Sequence, residues 1–397
     1  MSEATTQPSV TERLTAGYTG RMMLVIALGS MASQVGWLVI PPLLPAIIDD
    51  LAISSAQAGF ALTLLTLFAA AGRYPGGRLA DELSRKTVIG FCLVAWIVGF
   101  SILAVATTYP LFLLGVSVAG IGIGMYVPAA FAQLSDLFAA KRGQAFGVNN
   151  AAYNLAGILA PGLAFAVLLV GPWRLSFVVV VCVVVVLAAL VHVWNEEPYV
   201  VERVELGFRA TVVRTVFDPQ VRRVLVVASL ISFVWNGSVS FLPLYLESEH
   251  GLTSGTAGIA FASLFLVGAL VTPLSGWVGD RFGSLRTILV TVCFAVAGLV
   301  TLTTTSSVAG VFVGVVVFAI GLLGFWPVMT AYMMSIFPED SRGGDYGAIG
   351  TVYAGVGSTG PAYVGTVGQH LDYTTAYIGF VGCLLVCLGI VLSVRSS

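Results

Sequence analysis

Arg73 is the residue of this chain with the most specific chemistry, because a permanent cation stands within an otherwise apolar stretch. It precedes Asp81 by eight positions, so on a helix the two would lie about 12 Å apart along the axis. An arginine inside a membrane span costs at least ~2.5 kcal/mol, so another group must compensate its charge. Two roles are open. Arg73 binds an anion, or it is structural and reaches the membrane boundary or pairs with Asp136.

A few amides and aromatic rings fall at comparable depth in other apolar stretches, and together they predict a mostly neutral cavity. For any single ring, packing or a place at the membrane interface is the alternative reading. An unpaired amide in lipid is costly, which favours a binding role for the amides. The predicted substrate-binding residues are Arg73, Gln34, Trp37, Tyr126, Asn154, Trp235, Asn236, Trp326 and Tyr353.

Titratable groups are missing from the middle of these stretches, where Asp, Glu and His do not occur. Proton coupling needs such a group in the pathway, so the coupling ion is left open. The sequence also has no paired carboxylates, metal-ligand spacing or nucleophile with a base at one shared depth. We therefore expect no enzyme activity, no cofactor and no metal.

Composition places these residues in a membrane. Of 397 residues 58% are hydrophobic and 9% charged, whereas soluble domains carry about 25% charged residues. Apolar windows of about 20 residues, enough to cross a bilayer, predict twelve spans. They start near Met22, Ser55, Val88, Leu111, Gly143, Leu175, Val224, Gly255, Thr287, Val308, Asp345 and Thr375.

The chain repeats itself after about half its length. Gly77 and Asp81 return as Gly276 and Asp280, and Tyr153 returns as Tyr353. The sequence therefore predicts an all-α membrane protein with two pseudo-symmetric bundles of six helices. The predicted parts are a tail over 1–21, a bundle over 22–194, a linker over 195–223 and a bundle with a short tail over 224–397. The linker reads as an amphipathic surface helix or as a solvated charged segment.

The basic residues predict the orientation. Sixteen of the eighteen Lys and Arg fall on one side of the twelve-span arrangement, and only Arg73 and Arg174 do not. By the positive-inside rule this predicts a multi-pass protein of the cell membrane with both termini in the cytoplasm. The bilayer is the expected partner, nucleic acid is not indicated, and we expect a monomer.

The stretch from Gly77 to Lys86 resembles the loop between spans two and three of the major facilitator superfamily, whose pattern is G-x-L-A-D-R-x-G-R-K. Glu82 and Ser84 depart from that pattern, and the second copy begins at Gly276. The resemblance implies twelve spans and transport by alternating access. The segment Arg73 to Gly77 is similar to the span-two motif of the nitrate/nitrite branch. Gly157 to Ala164 resembles a degenerate antiporter motif.

A gate follows from the duplicated loop. A carboxylate at the end of span two can lie against the N-terminus of a helix from the other bundle, where the helix dipole stabilises it by about 0.3 to 1 kcal/mol. The alternative is that these charges only flank helices and set orientation. The predicted gating residues are Gly77, Asp81, Arg85, Lys86, Asp136, Gly276, Asp280 and Arg281.

Together these features predict a secondary transporter for a small organic solute or anion that works by rocking of two bundles. A drug-type efflux antiporter is an alternative of the same class. A membrane sensor that binds a ligand without transporting it is an alternative of another class. The sequence does not define the substrate, the direction of transport or the coupling ion.

Overall fold

The computed structural model describes residues 14–204, 219–337 and 342–395, with side chains except at 219, 342–345 and 394–395. Within these ranges the chain forms fourteen α-helices and no strand. They are α1 (Gly17–Leu38), α2 (Ile40–Leu51), α3 (Ser55–Glu82), α4 (Arg85–Ala104), α5 (Tyr109–Leu137), α6 (Arg142–Val170), α7 (Arg174–Trp194), α8 (Pro219–His250), α9 (Ser254–Phe282), α10 (Ser284–Thr304), α11 (Val308–Ile336), α12 (Arg342–Gly357), α13 (Gly360–His370) and α14 (Tyr373–Arg395).

The predicted fold class is confirmed. In the described ranges, eleven segments are long and apolar enough to cross a membrane, and α1 with α2 counts as one of them. Helices α12 and α13 together form the remaining span. Every helix that begins a predicted span starts within five residues of the predicted position, because a run of apolar side chains and its polar ends are both local properties of the sequence.

Two predicted spans are each broken into a pair of helices. The first breaks at Val39, directly before the consecutive prolines Pro41 and Pro42. The eleventh, predicted to start near Asp345, breaks between Gly357 and Gly360, before Pro361. Proline lacks the N–H that would continue the helical hydrogen bonds, and its ring clashes with the preceding turn. Both predicted spans are present, each as two consecutive helices.

The two halves pack in the same way. In the first bundle, α3 and α4 pack on α5, α4 packs on α7, and α1 packs on α6 and α7. In the second bundle, α9 and α10 pack on α11, α10 packs on α14, and α8 packs on α12 and α14. Each pairing in one half has its counterpart in the other, as a duplicated unit requires.

The bundles meet along two seams. One joins α3 to α12 and α13, the other joins α6 to α9, and α2 also contacts α8. We call the face where α1 begins and α14 ends the terminal side, and the face where α2 ends the opposite side. Four hydrogen bonds between described residues join α3 to the second bundle in the half of α3 near the opposite side, from Ser55 to Thr66.

The first residues of the linker lie against the first bundle. The Lys86 ammonium donates to the carbonyl oxygens of His192 at 3.1 Å and Asn195 at 2.6 Å. The Val200 N–H donates to the Thr87 hydroxyl at 2.9 Å. The predicted amphipathic segment, from Leu206 to Phe217, lies outside the described residues.

Candidate functional site

Arg73 lies in α3, nine residues before its end at Glu82, which places it about 14 Å from the terminal-side end of the helix. Its side chain is exposed. The guanidinium interacts electrostatically with the Tyr353 hydroxyl on α12. It also interacts electrostatically with Tyr153 on α6. Arg73 thus faces the space between the bundles, where side chains from both halves surround it.

Aromatic side chains of the second bundle lie near Arg73. The rings of Trp326 and Tyr353 lie 5.3 Å apart between centroids, at 33°. The Tyr353 hydroxyl is also within reach of the Tyr346 hydroxyl, which in turn lies 3.2 Å from the Thr330 hydroxyl. Tyr353 thus connects Arg73 to a cluster of the second bundle that contains Trp326, Tyr346 and Thr330.

A carboxylate side chain would neutralise the charge of Arg73. Among the described side chains, no carboxylate lies within ion-pair distance of Arg73. Asp136, which was one predicted structural partner, accepts instead from the Arg85 Nε at 3.1 Å. The guanidinium is exposed to the space between the bundles and no described carboxylate pairs with it, so it is available to an anionic ligand.

Three other predicted binding residues belong to the first bundle. Gln34 is buried, and its Oε1 has no hydrogen-bond partner among the described residues. It follows Ser30 by one turn, and the Ser30 hydroxyl donates to Asn149 at 2.8 Å. Trp37 is half-buried on α1. Asn154 is half-buried on α6 and donates to the Asn150 carbonyl oxygen at 3.0 Å.

The second bundle contributes Trp235 and Asn236 on α8. The Trp235 ring packs edge-on against Phe265 at 6.1 Å, which places it at the seam between α6 and α9. Asn236 is buried and donates to the Ser232 carbonyl oxygen at 2.9 Å.

Tyr126 differs from its sequence-based description as a cavity residue. It is 1% exposed, its ring packs on Trp96 at 4.8 Å, and its hydroxyl donates to the Ile26 carbonyl oxygen at 2.9 Å. These contacts lie inside the first bundle. The depth of Tyr126 along α5 is as expected, but the rotation of that helix turns the ring away from the cavity.

The predicted gating residues of the first bundle form contacts within that bundle. Arg85 bridges two carboxylates, Asp81 and Asp136, with each N···O distance at 3.1 Å. Lys86 is buried and engages the end of α7 and the linker, with its ammonium 4.8 Å from the centre of the Tyr199 ring. In this conformation the charges join α3, α4 and α5 to one another rather than to the second bundle.

In the second copy of the loop, the arginine contacts an aromatic ring, whereas Arg85 in the first copy forms ion pairs. Asp280 is exposed, and the Arg281 guanidinium lies 5.7 Å from the centre of the Trp277 ring. Gly77 and Gly276 do correspond in space. Cβ atoms built on them would lie 3.7 Å from the Pro128 Cβ and 4.0 Å from the Pro327 Cβ, in ordinary contact.

Sequence reasoning missed Tyr346, Thr330 and Phe265. Tyr346 precedes Tyr353 by seven residues, so the two share a helix face, and this spacing could have found it. Thr330 and Phe265 carry no such local signal, because they reach the site through packing between helices far apart in sequence.

The arrangement provides binding rather than bond-making chemistry. A guanidinium presents several N–H donors in a planar fork that matches a carboxylate or another flat oxyanion. The nearby hydroxyls can add donors, and the rings can cover an apolar part of a ligand. In the described ranges, no group of three or more metal-ligating side chains is present.

Comparisons with known proteins agree with the fold. The sequence model of the Major Facilitator Superfamily matches residues 26–361 and 224–396. Multidrug resistance protein 1 of Bacillus subtilis (strain 168) is 22% identical over 89% of this chain and 90% of its own length. The probable nitrate transporter NarT of Staphylococcus carnosus (strain TM300) is 24% identical over 71% of this chain and 72% of its own.

Among solved structures, a bacterial homologue of the human lysosomal transporter Spinster, in an inward-facing and occupied conformation, superimposes with a TM-score of 0.80. The identity is 19%, and the match covers 96% of this chain and 97% of that one. The likeness concerns the fold. The repeat, the two bundles and the matching family model together lead to one conclusion: this chain is a multi-pass membrane transporter that belongs to the Major Facilitator Superfamily.

Proposed function

We propose that the transporter carries a small planar anion, either an organic carboxylate or an inorganic oxyanion, and that Arg73 binds it. One observation carries this proposal: an accessible arginine, without a described carboxylate at ion-pair distance, interacts with Tyr153 of the first bundle and Tyr353 of the second. A bound anion would supply the missing counter-charge. The 24% identity to a probable nitrate transporter supports the same class of ligand.

The other binding residues have distinct roles in this proposal. Tyr353 donates to the anion beside Arg73, and Trp326 covers its face or its apolar part. Gln34 offers an amide oxygen that has no partner among the described residues. Trp37, Asn154, Trp235 and Asn236 line the space on either side, whereas Tyr126 supports α1 from inside the bundle.

Transport follows from movement of the two bundles about this site. The hydrogen-bonded seam from Ser55 to Thr66 closes the opposite side, and Arg73 lies seven residues beyond Thr66 toward the terminal side. We place the termini in the cytoplasm because the basic residues concentrate there. The conformation described here is then open to the cytoplasm. Asp81 and Asp280 stay predicted as latches of the alternative conformation, in which the terminal side closes.

Efflux of an aromatic compound is the second candidate function. The adjacent rings of Trp326 and Tyr353 favour it, as does the similarity to a multidrug resistance protein. In that case the rings would bind the ligand, and Arg73 would contribute less to affinity. A sensor would bind a ligand without moving it.

The test is anion-driven stabilisation and flux in the full chain. Nitrate, acetate and benzoate are added to the purified protein, thermal unfolding is measured, and uptake into proteoliposomes is followed with the same anions. We expect at least one anion to stabilise the protein by mass action. Arg73→Ala should weaken that binding about tenfold or more, since loss of a charge-assisted hydrogen bond costs about 1.5 to 3 kcal/mol. Arg73→Lys should retain part of it.

Arg203→Ala is the matched control, because it removes the same charge from an exposed position in the linker. It should leave both binding and flux unchanged. Equal anion affinity in Arg73→Ala and the unmodified protein would contradict the proposal. Transport of aromatic cations alone would favour efflux, and binding without flux would favour a sensor.

A further inference from the structure

A crevice of about 530 Å³ opens on the outer surface of the first bundle, between α3 and α4. These two helices pack on α5 but little on each other, so they leave a wedge whose floor is α5. Phe68, Pro75 and Leu79 line it from α3, Phe91 from α4 and Met125 from α5. Among its lining residues only Thr87 has a polar side chain, and that hydroxyl already contacts Ser84 and the Val200 N–H.

The crevice lies on the face of α3 that is turned away from Arg73. Phe91 at its rim is 51% exposed, as a lipid-facing side chain would be. The lining runs from Phe68 to Leu79 along α3, which is about 16 Å at 1.5 Å per residue, and continues to Leu83 just after the helix. One leaflet of the hydrocarbon core is about 15 Å thick. The crevice therefore extends through one leaflet and reaches the membrane boundary on the terminal side, beside Val201.

The bundles differ at this place, and the difference explains the crevice. Ala71 and Pro75 correspond, at the repeat distance, to Leu270 and Leu274 of α9. The two leucines are 70% and 57% exposed and project their side chains from α9. In α3 the smaller alanine and the ring of proline leave that volume unfilled.

Water does not suit this volume, because an ordered water needs two to four polar partners. If the crevice stayed empty, each atom that lines it would lose dispersion contacts. We propose that the crevice is a binding site for one acyl chain of a phospholipid from the terminal-side leaflet. The chain packs behind Pro75 and supports the segment of α3 that carries Arg73 on its other face. The proposal does not depend on the identity of the transported solute.

The test uses the full chain in nanodiscs with a phospholipid that carries a photoreactive diazirine in the middle of one acyl chain. After illumination, peptides that bear lipid are identified by mass spectrometry. We expect adducts around Leu79 and Phe91 to exceed those at the repeat-related positions Val278 and Val290. Ala71→Phe, which fills the crevice, should reduce the excess about fivefold, as loss of ~1 kcal/mol of binding would. Leu270→Phe is the matched control and should leave it unchanged.

Equal labelling of the two bundles in the unmodified protein would overturn the proposal, and this comparison does not depend on the folding of any variant. An excess that persists in Ala71→Phe would overturn it as well. So would cross-links from a photoreactive residue at position 79 to residues 205–218 or to a second copy of the chain, because the occupant would then be protein.

Discussion

The two seams between the bundles are related by the repeat but are built differently. Gly59 meets Pro361 at the α3–α13 seam, and their counterparts Gly258 and Pro161 meet at the α6–α9 seam. A Cβ on Gly59 would collide with the Pro361 carbonyl oxygen, whereas one on Gly258 would lie in ordinary contact, 3.8 Å from the Pro161 Cβ. The first seam is therefore a close approach of two backbones, and the second leaves room for a side chain.

Their chemistry differs as well. Across the α3–α13 seam, the Thr63 hydroxyl accepts from the Ala362 N–H at 3.0 Å. Beside this seam, the Ser55 hydroxyl lies 2.7 Å from the hydroxyl of Tyr373 at the start of α14. At the α6–α9 seam the prominent contact is apolar, since the Phe265 ring fills the space left by Gly157. Hydrogen bonds require one register, while a ring against a glycine tolerates sliding. The two copies of the repeat have thus produced two different seams. The α3–α13 seam is directional, because its hydrogen bonds require one register, whereas the helices of the apolar α6–α9 seam can slide.

The largest expected effect comes from overpacking the directional seam with Gly59→Leu. The new side chain meets the Pro361 carbonyl and the Gly365 backbone, which cannot move aside as a flexible side chain can. Overpacking costs about 1 to 3 kcal/mol, so closure of the opposite side should become about tenfold or more less favourable. Distances between spin labels at Asp49 and Leu371, in a background without the native cysteines, report that closure.

Gly162→Leu is the control for this substitution. Gly162 also lies in a membrane-spanning helix, α6, but nothing lies within 4 Å of a Cβ built at this position. It should not change the label distance. An unchanged distance in Gly59→Leu would show that the α3–α13 approach does not determine closure.

A smaller effect is expected from Gly157→Leu at the apolar seam. The added side chain would collide with the Phe265 ring, but a ring can change its rotamer, so the cost should fall below that of Gly59→Leu. Phe265→Ala should relieve it, with a coupling energy of about 0.5 to 3 kcal/mol between the two positions. Thermal unfolding of the single and double variants measures this coupling. Strictly additive losses would contradict a shared contact.

The smallest effect is expected from Thr63→Val, which keeps the shape of the side chain and removes the acceptor for the Ala362 N–H. One net hydrogen bond is worth about 0.5 to 1.5 kcal/mol, so the closed population should fall by a few-fold in the same label experiment. Thr66→Val is a suitable comparison, since the Thr66 hydroxyl also bonds to Leu62 in its own helix and reaches Ser358 only at 3.4 Å. Equal effects of the two variants would argue that these hydrogen bonds do not set the register.

The sequence by itself determined the spans, the duplication and the depth of Arg73, because hydropathy and repeat spacing are properties of consecutive residues. It also led to Trp326 and Tyr353, which the structure brings near Arg73. Depth along a helix follows from counting residues. Which side chains of other helices lie next to a residue does not follow from such a count.

Only the tertiary structure decided which way each helix turns and which helices touch. Tyr126 has the predicted depth but packs into its own bundle, and Arg85 takes the Asp136 carboxylate that had been considered for Arg73. Helix rotation is set by packing against partners that are distant in sequence, and the energies involved are spread over many small contacts. The two unlike seams and the lipid-facing crevice arise at that level, where no local pattern of residues predicts them. The helix breaks at Val39 and before Pro361 are different, because they follow from prolines in the local sequence.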